Sequence, residues 1–83
     1  MDHIVLTLEQ LGPVLQGIRR EHRLTQAAAA AQVGLLPKTI SGLESSPGKH
    51  SVESLFRLLS ALELQMVLRP KPAASSPRRR AEW

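Results

Sequence analysis

The side chains able to act on another molecule are few in this sequence, and most of them are basic. Three histidines, His3, His22 and His50, stand apart with no partner at i, i+4 spacing, and the 83 residues include no cysteine. Neither a paired-imidazole nor a thiolate metal site can be assembled from them. No serine or lysine sits in a pattern that couples it to a base, and no glycine-rich phosphate loop occurs, so an enzyme, a metal and a cofactor are not expected. Charge is the remaining chemistry. Eleven Lys and Arg against seven Asp and Glu leave +4, a balance that suits nucleic acid, a membrane surface or an acidic partner.

That excess is unevenly placed. Residues 1–69 hold seven basic and six acidic groups, whereas residues 70–83 hold Lys71, Arg78, Arg79 and Arg80 against Glu82. The body is thus close to neutral at +1, and residues 70–83 carry +3. The same stretch contains Trp83, the single tryptophan, a residue type enriched at the centres of protein–protein interfaces. A docking role on a protein partner is expected for Trp83. Arg78, Arg79 and Arg80 fit a solubilising run, a nonspecific DNA clamp or a contact to an acidic patch.

Eighty-three residues make one domain, and with only Phe56 and Trp83 as aromatics its core must be aliphatic. The spacing of Leu11, Leu15, Ile18 and His22 predicts a first helix. Thr7 and Gln10 have the spacing of a capping box at its start. Gly12-Pro13 interrupts the pattern, so the expectation is a bent helix over about 8–22, or a short turn and a helix from Pro13. Thr25 caps a second helix that runs through Ala27–Ala31 to Gln32, and Gly34 ends it in the left-handed conformation. Pro37 opens a third, which carries Ile40 and Leu43 inward and finishes near Glu44. Ser45-Ser46-Pro47-Gly48 reads as a loop.

Ser51 caps the fourth helix, whose apolar stripe reads Val52, Leu55, Phe56, Leu59 and Leu62. Gln65–Arg69 has strand-forming residues without a second strand candidate in the chain, so it is expected to pair with the same strand of another copy. Residues 70–83, with prolines at 70, 72 and 77, have the composition of a disordered basic tail. The organisation is therefore a helical domain over 1–64, a strand at 65–69 and a tail. The longest uncharged run, Leu24–Pro37, is too short and polar to span a bilayer, and Met1-Asp2-His3 lacks the positive start of a secretory signal. The chain reads as soluble and cytoplasmic.

Two short helices joined by a tight glycine turn have the geometry of a helix-turn-helix, whose second helix lies in the DNA major groove. The segment Leu24-Thr25-Gln26, Ala30, Val33-Gly34-Leu35, Ile40-Ser41 and Leu43-Glu44 closely resembles the Xre, or lambda-repressor-like, class, and the likeness covers about residues 11–64. The resemblance implies an all-α fold of four helices with the helix-turn-helix at about 25–44. It also implies DNA contacts: Gln26 on phosphate, Lys38 on a base edge or phosphate, Thr39, Ser41 and Lys49 nearby. Leu36 and Pro37 stand where the class often carries polar residues; they can touch a thymine methyl and no more. Direct readout then falls on Lys38 and Ser41, with Gly42 allowing close approach, while Glu44 supports the fold.

The order of capped first helix, helix-turn-helix, leucine-rich fourth helix, Leu62–Leu68 and a loose segment containing Glu82-Trp83 is similar to the HipB-type antitoxins of HipA-type kinase toxin–antitoxin modules. That resemblance implies a homodimer joined through Met66, Val67 and Leu68. It further implies a palindromic operator upstream of its own operon, and a Ser/Thr-kinase toxin, in one chain or split, held inactive. The alternatives are a free-standing Xre-type transcriptional regulator without a toxin, and an interaction module in which the helix-turn-helix is only a scaffold.

Overall fold

The computed structural model of the protein describes residues 2–71, which hold four α-helices and a single 3-10 turn. In chain order these are α1 (Leu8–Glu21), α2 (Gln26–Val33), α3 (Pro37–Ser45), the 3-10 turn (Pro47–Lys49) and α4 (Val52–Ala61). Gln10 closes the start of α1: its Oε1 accepts from the Leu6 and Thr7 N–H groups at 2.6 and 3.3 Å. Pro13 lies inside α1 without ending it. The glycine before it has a separate reason. A Cβ at Gly12 would collide with the Glu44 backbone carbonyl, so only glycine lets α3 come this close to α1.

Three helices end in the same way. Gly34 (φ 71°), Arg23 (φ 58°) and Glu63 (φ 59°) are left-handed. After each, a backbone N–H returns to a carbonyl of the last turn: Leu35 to Ala30 (3.0 Å), Leu24 to Arg19 (3.1 Å) and Leu64 to Leu59 (2.8 Å). The left-handed Gly34 was legible in the sequence; the other two ends use side-chain-bearing residues where glycine would fit more easily. At the starts, Thr25 Oγ1 accepts from the Ala28 N–H and Ser51 Oγ from the Ser54 N–H, both at 3.0 Å. Pro37 occupies the first turn of α3, where a missing donor costs nothing.

The core is aliphatic. Leu15 and Ile18 of α1, Ala29 and Ala30 of α2, Ile40 and Leu43 of α3, and Leu58, Leu59 and Leu62 from α4 and its end form one buried cluster. The small α2 side chains let α3 and α4 approach closely on either side. His22, expected on the inner stripe of α1, is instead exposed at its end, where its Nε2 lies 3.0 Å from the Leu62 carbonyl. The inward face of α4 is also rotated from expectation. Val52 and Phe56 remain 67% and 47% exposed, and Leu58, Leu59, Ala61 and Leu62 take the interior with Leu55 beside them. This helix has more apolar residues than one face can hold, so spacing alone fits two faces; close approach to the α2 alanines selects one of them.

Beyond Leu64 the backbone leaves helical structure, and Met66, Val67 and Leu68 are 47%, 53% and 88% exposed. A second apolar segment outside the helices, Ile4-Val5-Leu6, precedes α1. The two segments are brought together where Asp2 and Arg69 approach to 3.6 Å. No helix among the described residues is long and apolar enough to cross a membrane.

Candidate nucleic-acid interface

What holds α3 in place is a buried polar cluster centred on Glu44. Arg19 from α1 donates through Nε to Glu44 Oε2 (2.5 Å) and through Nη2 to Oε1 (3.1 Å), and its Nη1 donates to the Leu24 carbonyl (2.7 Å). Gln26, the first residue of α2, donates its Nε2 to Glu44 Oε1 at 3.2 Å, and Gln16 does so at 3.4 Å. One carboxylate thus collects donors from α1 and α2 and ties them to α3. Both charged side chains are buried, at 8% and 3% exposure. A pair of that kind is dear to break, because the survivor is a buried charge without a partner. The fold-supporting role expected of Glu44 is what the geometry displays. Arg19 and Gln16 were passed over; the one available signal was a charged residue beside Ile18 on the inner stripe of α1.

With Ile40, Leu43 and Glu44 turned inward, the opposite side of α3 faces out. Pro37, Lys38 and Ser41 are exposed there, and Leu36 just before the helix is exposed with them. Thr39 is half-buried. Lys49 is exposed at the far end, on the 3-10 turn. The structure therefore groups Leu36, Pro37, Lys38 and Ser41 on one accessible surface, sets Lys49 apart from them, and turns Thr39 partly aside. Two of the residues have partners inside the protein that the sequence did not announce. Gln26 is half-buried and commits its amide nitrogen to Glu44, so its first partner lies inside the protein. Gly42 is half-buried beneath the His50 ring, which a Cβ would strike; the close approach it permits is that of His50.

Met66, Val67 and Leu68 lie away from α3 in the sequence, on the exposed non-helical segment after α4. Arg78, Arg79, Arg80 and Trp83 are outside the described residues. Among the described residues no group of three or more His, Cys, Asp or Glu side chains could hold a metal ion.

Four helices of this order, with a glycine turn between α2 and α3 and an exposed polar face on α3 braced from behind, define the lambda-repressor-like helix-turn-helix class. No protein-family model matches the chain. Over 59 residues, 71% of its length, the chain is 34% identical to "Antitoxin HipB" of Escherichia coli strain CFT073 and 32% identical to "Antitoxin HipB" of Escherichia coli strain K12. It spans 63% of the first relative, just under two thirds, and 67% of the second. Among solved structures it is similar to chains titled "Structure of HipA-HipB-O2-O3 complex" and "HipB-O4 20mer complex", each with a TM-score of 0.79 and 28% identity. Both likenesses cover 83% of this chain and 97% of the other. The chain belongs to the HipB antitoxin family.

Proposed function

We propose that this protein is the antitoxin and transcriptional autorepressor of a HipA-type kinase module, acting in the cytoplasm as a homodimer on a palindromic operator. The observation that carries the proposal is the accessible face of α3, braced by Glu44, on a chain whose relatives are named as antitoxins. Lys38 and Ser41 read base edges, Leu36 and Pro37 pack against thymine methyls, and Lys49 and Thr39 meet the flanking phosphates. Gln26 reaches phosphate with the part of its amide that Glu44 leaves free. Two copies double each contact, which lets a body of low net charge hold DNA. Met66, Val67 and Leu68 pair the copies, and Arg78, Arg79, Arg80 and Trp83 dock the Ser/Thr-kinase toxin. A solved HipA-HipB-O2-O3 complex of relatives supports a three-way assembly.

The test is a mobility shift on the DNA upstream of the gene, at several salt concentrations, with and without a HipA-type kinase. Affinity should fall steeply as salt rises, and Lys38→Ala should cost about 1–3 kcal/mol of operator binding. Unchanged binding by that variant on a mapped operator would remove Lys38 from the reading face. Operator binding without kinase association would leave a free-standing regulator instead.

A further inference from the structure

We propose that His50 positions Lys49: its ring, seated on Gly42, holds the turn after α3 against the helix and fixes where the lysine meets phosphate. The inference rests on the reading of α3 and Lys49 given above and adds the device that aims the lysine. The turn begins and ends on one residue. At its start the Ser46 N–H donates to the Gly42 carbonyl at 2.6 Å, and at its end the His50 ring covers the bare Cα of the same glycine. Between these points the Lys49 N–H donates to the Ser46 carbonyl (3.0 Å) and the His50 N–H to the Pro47 carbonyl (3.2 Å). Lys49 thus rides on a short turn tied down at both ends, with its own side chain exposed.

Gly42 stands four residues after Lys38, one turn further along the same face of α3. A side chain at 42 would project from that face. The imidazole fills the place instead, since a Cβ there would overlap Nε2 and come within 2.6 Å of Cε1. Nε2 and Cε1 form the edge of the ring furthest from its own backbone, so the reach of the side chain is directed at α3. That orientation, with His50 half-buried, makes the residue a brace for the turn, while the exposed lysine beside it makes the contact. The backbone hydrogen bonds inside the turn fix its shape; the ring fixes its angle to α3. A lysine on a free turn would have to order the backbone as well as its own stem on reaching phosphate, whereas on a braced turn the backbone share is already met.

Operator binding of full-length proteins, followed by fluorescence anisotropy at several salt concentrations, tests this as a double-mutant cycle: the natural chain, His50→Ala, Lys49→Ala and the two together. Lys49→Ala should weaken binding on the order of tenfold and, with two lysines in a dimer, lower the salt slope by about two. His50→Ala should weaken binding by about twofold or more, lower the slope in the same direction, and cost less than about twofold further once Lys49 is gone. Losses that multiply in the double variant would make His50 independent of Lys49 and overturn the inference. So would His50→Ala binding within about twofold of the natural chain; in both cases the phosphate contact of Lys49 stands. If Lys49→Ala binds as the natural chain does, that contact fails and the inference with it. A natural chain that prefers its operator no more than unrelated DNA overturns the function proposed above together with the inference. Far-UV spectra check that the helices persist in each variant. Should His50→Ala lose them, His50→Asn, too short to reach Gly42, takes its place under the same criteria.

Discussion

Replacing Glu44 by glutamine tests the claim that α3 is held by one buried carboxylate. Four donors converge on its two oxygens: Arg19 Nε on Oε2, and Arg19 Nη2, Gln16 Nε2 and Gln26 Nε2 on Oε1. A glutamine of the same shape has one acceptor. With its oxygen in the Oε1 position, the amide NH₂ confronts Arg19 Nε; turned the other way, it confronts three donors at once. Either way the guanidinium remains buried without a counter-charge, for which about 3–5 kcal/mol is the usual cost. A domain of about 64 residues has a total stability of about 3–10 kcal/mol, taking ~0.05–0.15 kcal/mol per residue. Glu44→Gln should therefore forfeit about a third of it or more.

The assay is urea denaturation followed by helical circular dichroism at one protein concentration, since association adds to apparent stability. A companion variant, Arg19→Met/Glu44→Leu, removes both charges and should regain most of the loss, because apolar replacements of a buried pair are often neutral or better. Gln16 and Gln26 are only half-buried, and water can take over their donors. A loss below about 1 kcal/mol in Glu44→Gln, or a double variant no more stable than the single, would refute the reasoning.

Gly12 and Gly42 should respond differently to alanine. At Gly12 the new Cβ meets a backbone carbonyl that cannot swing away, so Gly12→Ala should cost about 2–3 kcal/mol or more and shift α3. At Gly42 the obstacle is a histidine ring that can turn aside, and the gain of ~1 kcal/mol in helix propensity offsets its displacement, leaving stability within about 1 kcal/mol of the natural chain; thermal melts of the two variants distinguish these outcomes. Glu63→Gly relieves a left-handed residue bearing a side chain and should add about 0.5–1 kcal/mol, a rise of about 3–6 °C in Tm; an unchanged or lower Tm would mean that the site carries no strain.

The local punctuation was readable from residue types because each signal acts within a turn of chain. Thr25 and Ser51 as caps, Gly34 as a left-handed end and Pro37 at a helix start lie where their chemistry places them. The features that needed the folded chain are those that depend on distant partners. Arg19 and Glu44 are twenty-five residues apart, and nothing local marks them as a pair. Gly42 looked like an opening for DNA until His50 was found over it. The excess of apolar residues on α4 left its inward face undetermined, and Ile4-Val5-Leu6 was too short to read as an element. For the outward face of α3, spacing and resemblance located Leu36, Pro37, Lys38 and Ser41 together; they did not reveal that the Gln26 amide also donates to a buried carboxylate.

The split on α3 between Ile40, Leu43 and Glu44 inside and Leu36, Pro37, Lys38 and Ser41 outside also bears on how such modules diverge. The outward positions can be rewritten without disturbing the frame that carries them, since none of them donates to or accepts from the Glu44 cluster. Sibling regulators in one genome can thus acquire separate operators by a handful of exchanges on one helix surface. Cross-talk between duplicated copies is then removed by drift at the periphery, with the interior inherited unchanged.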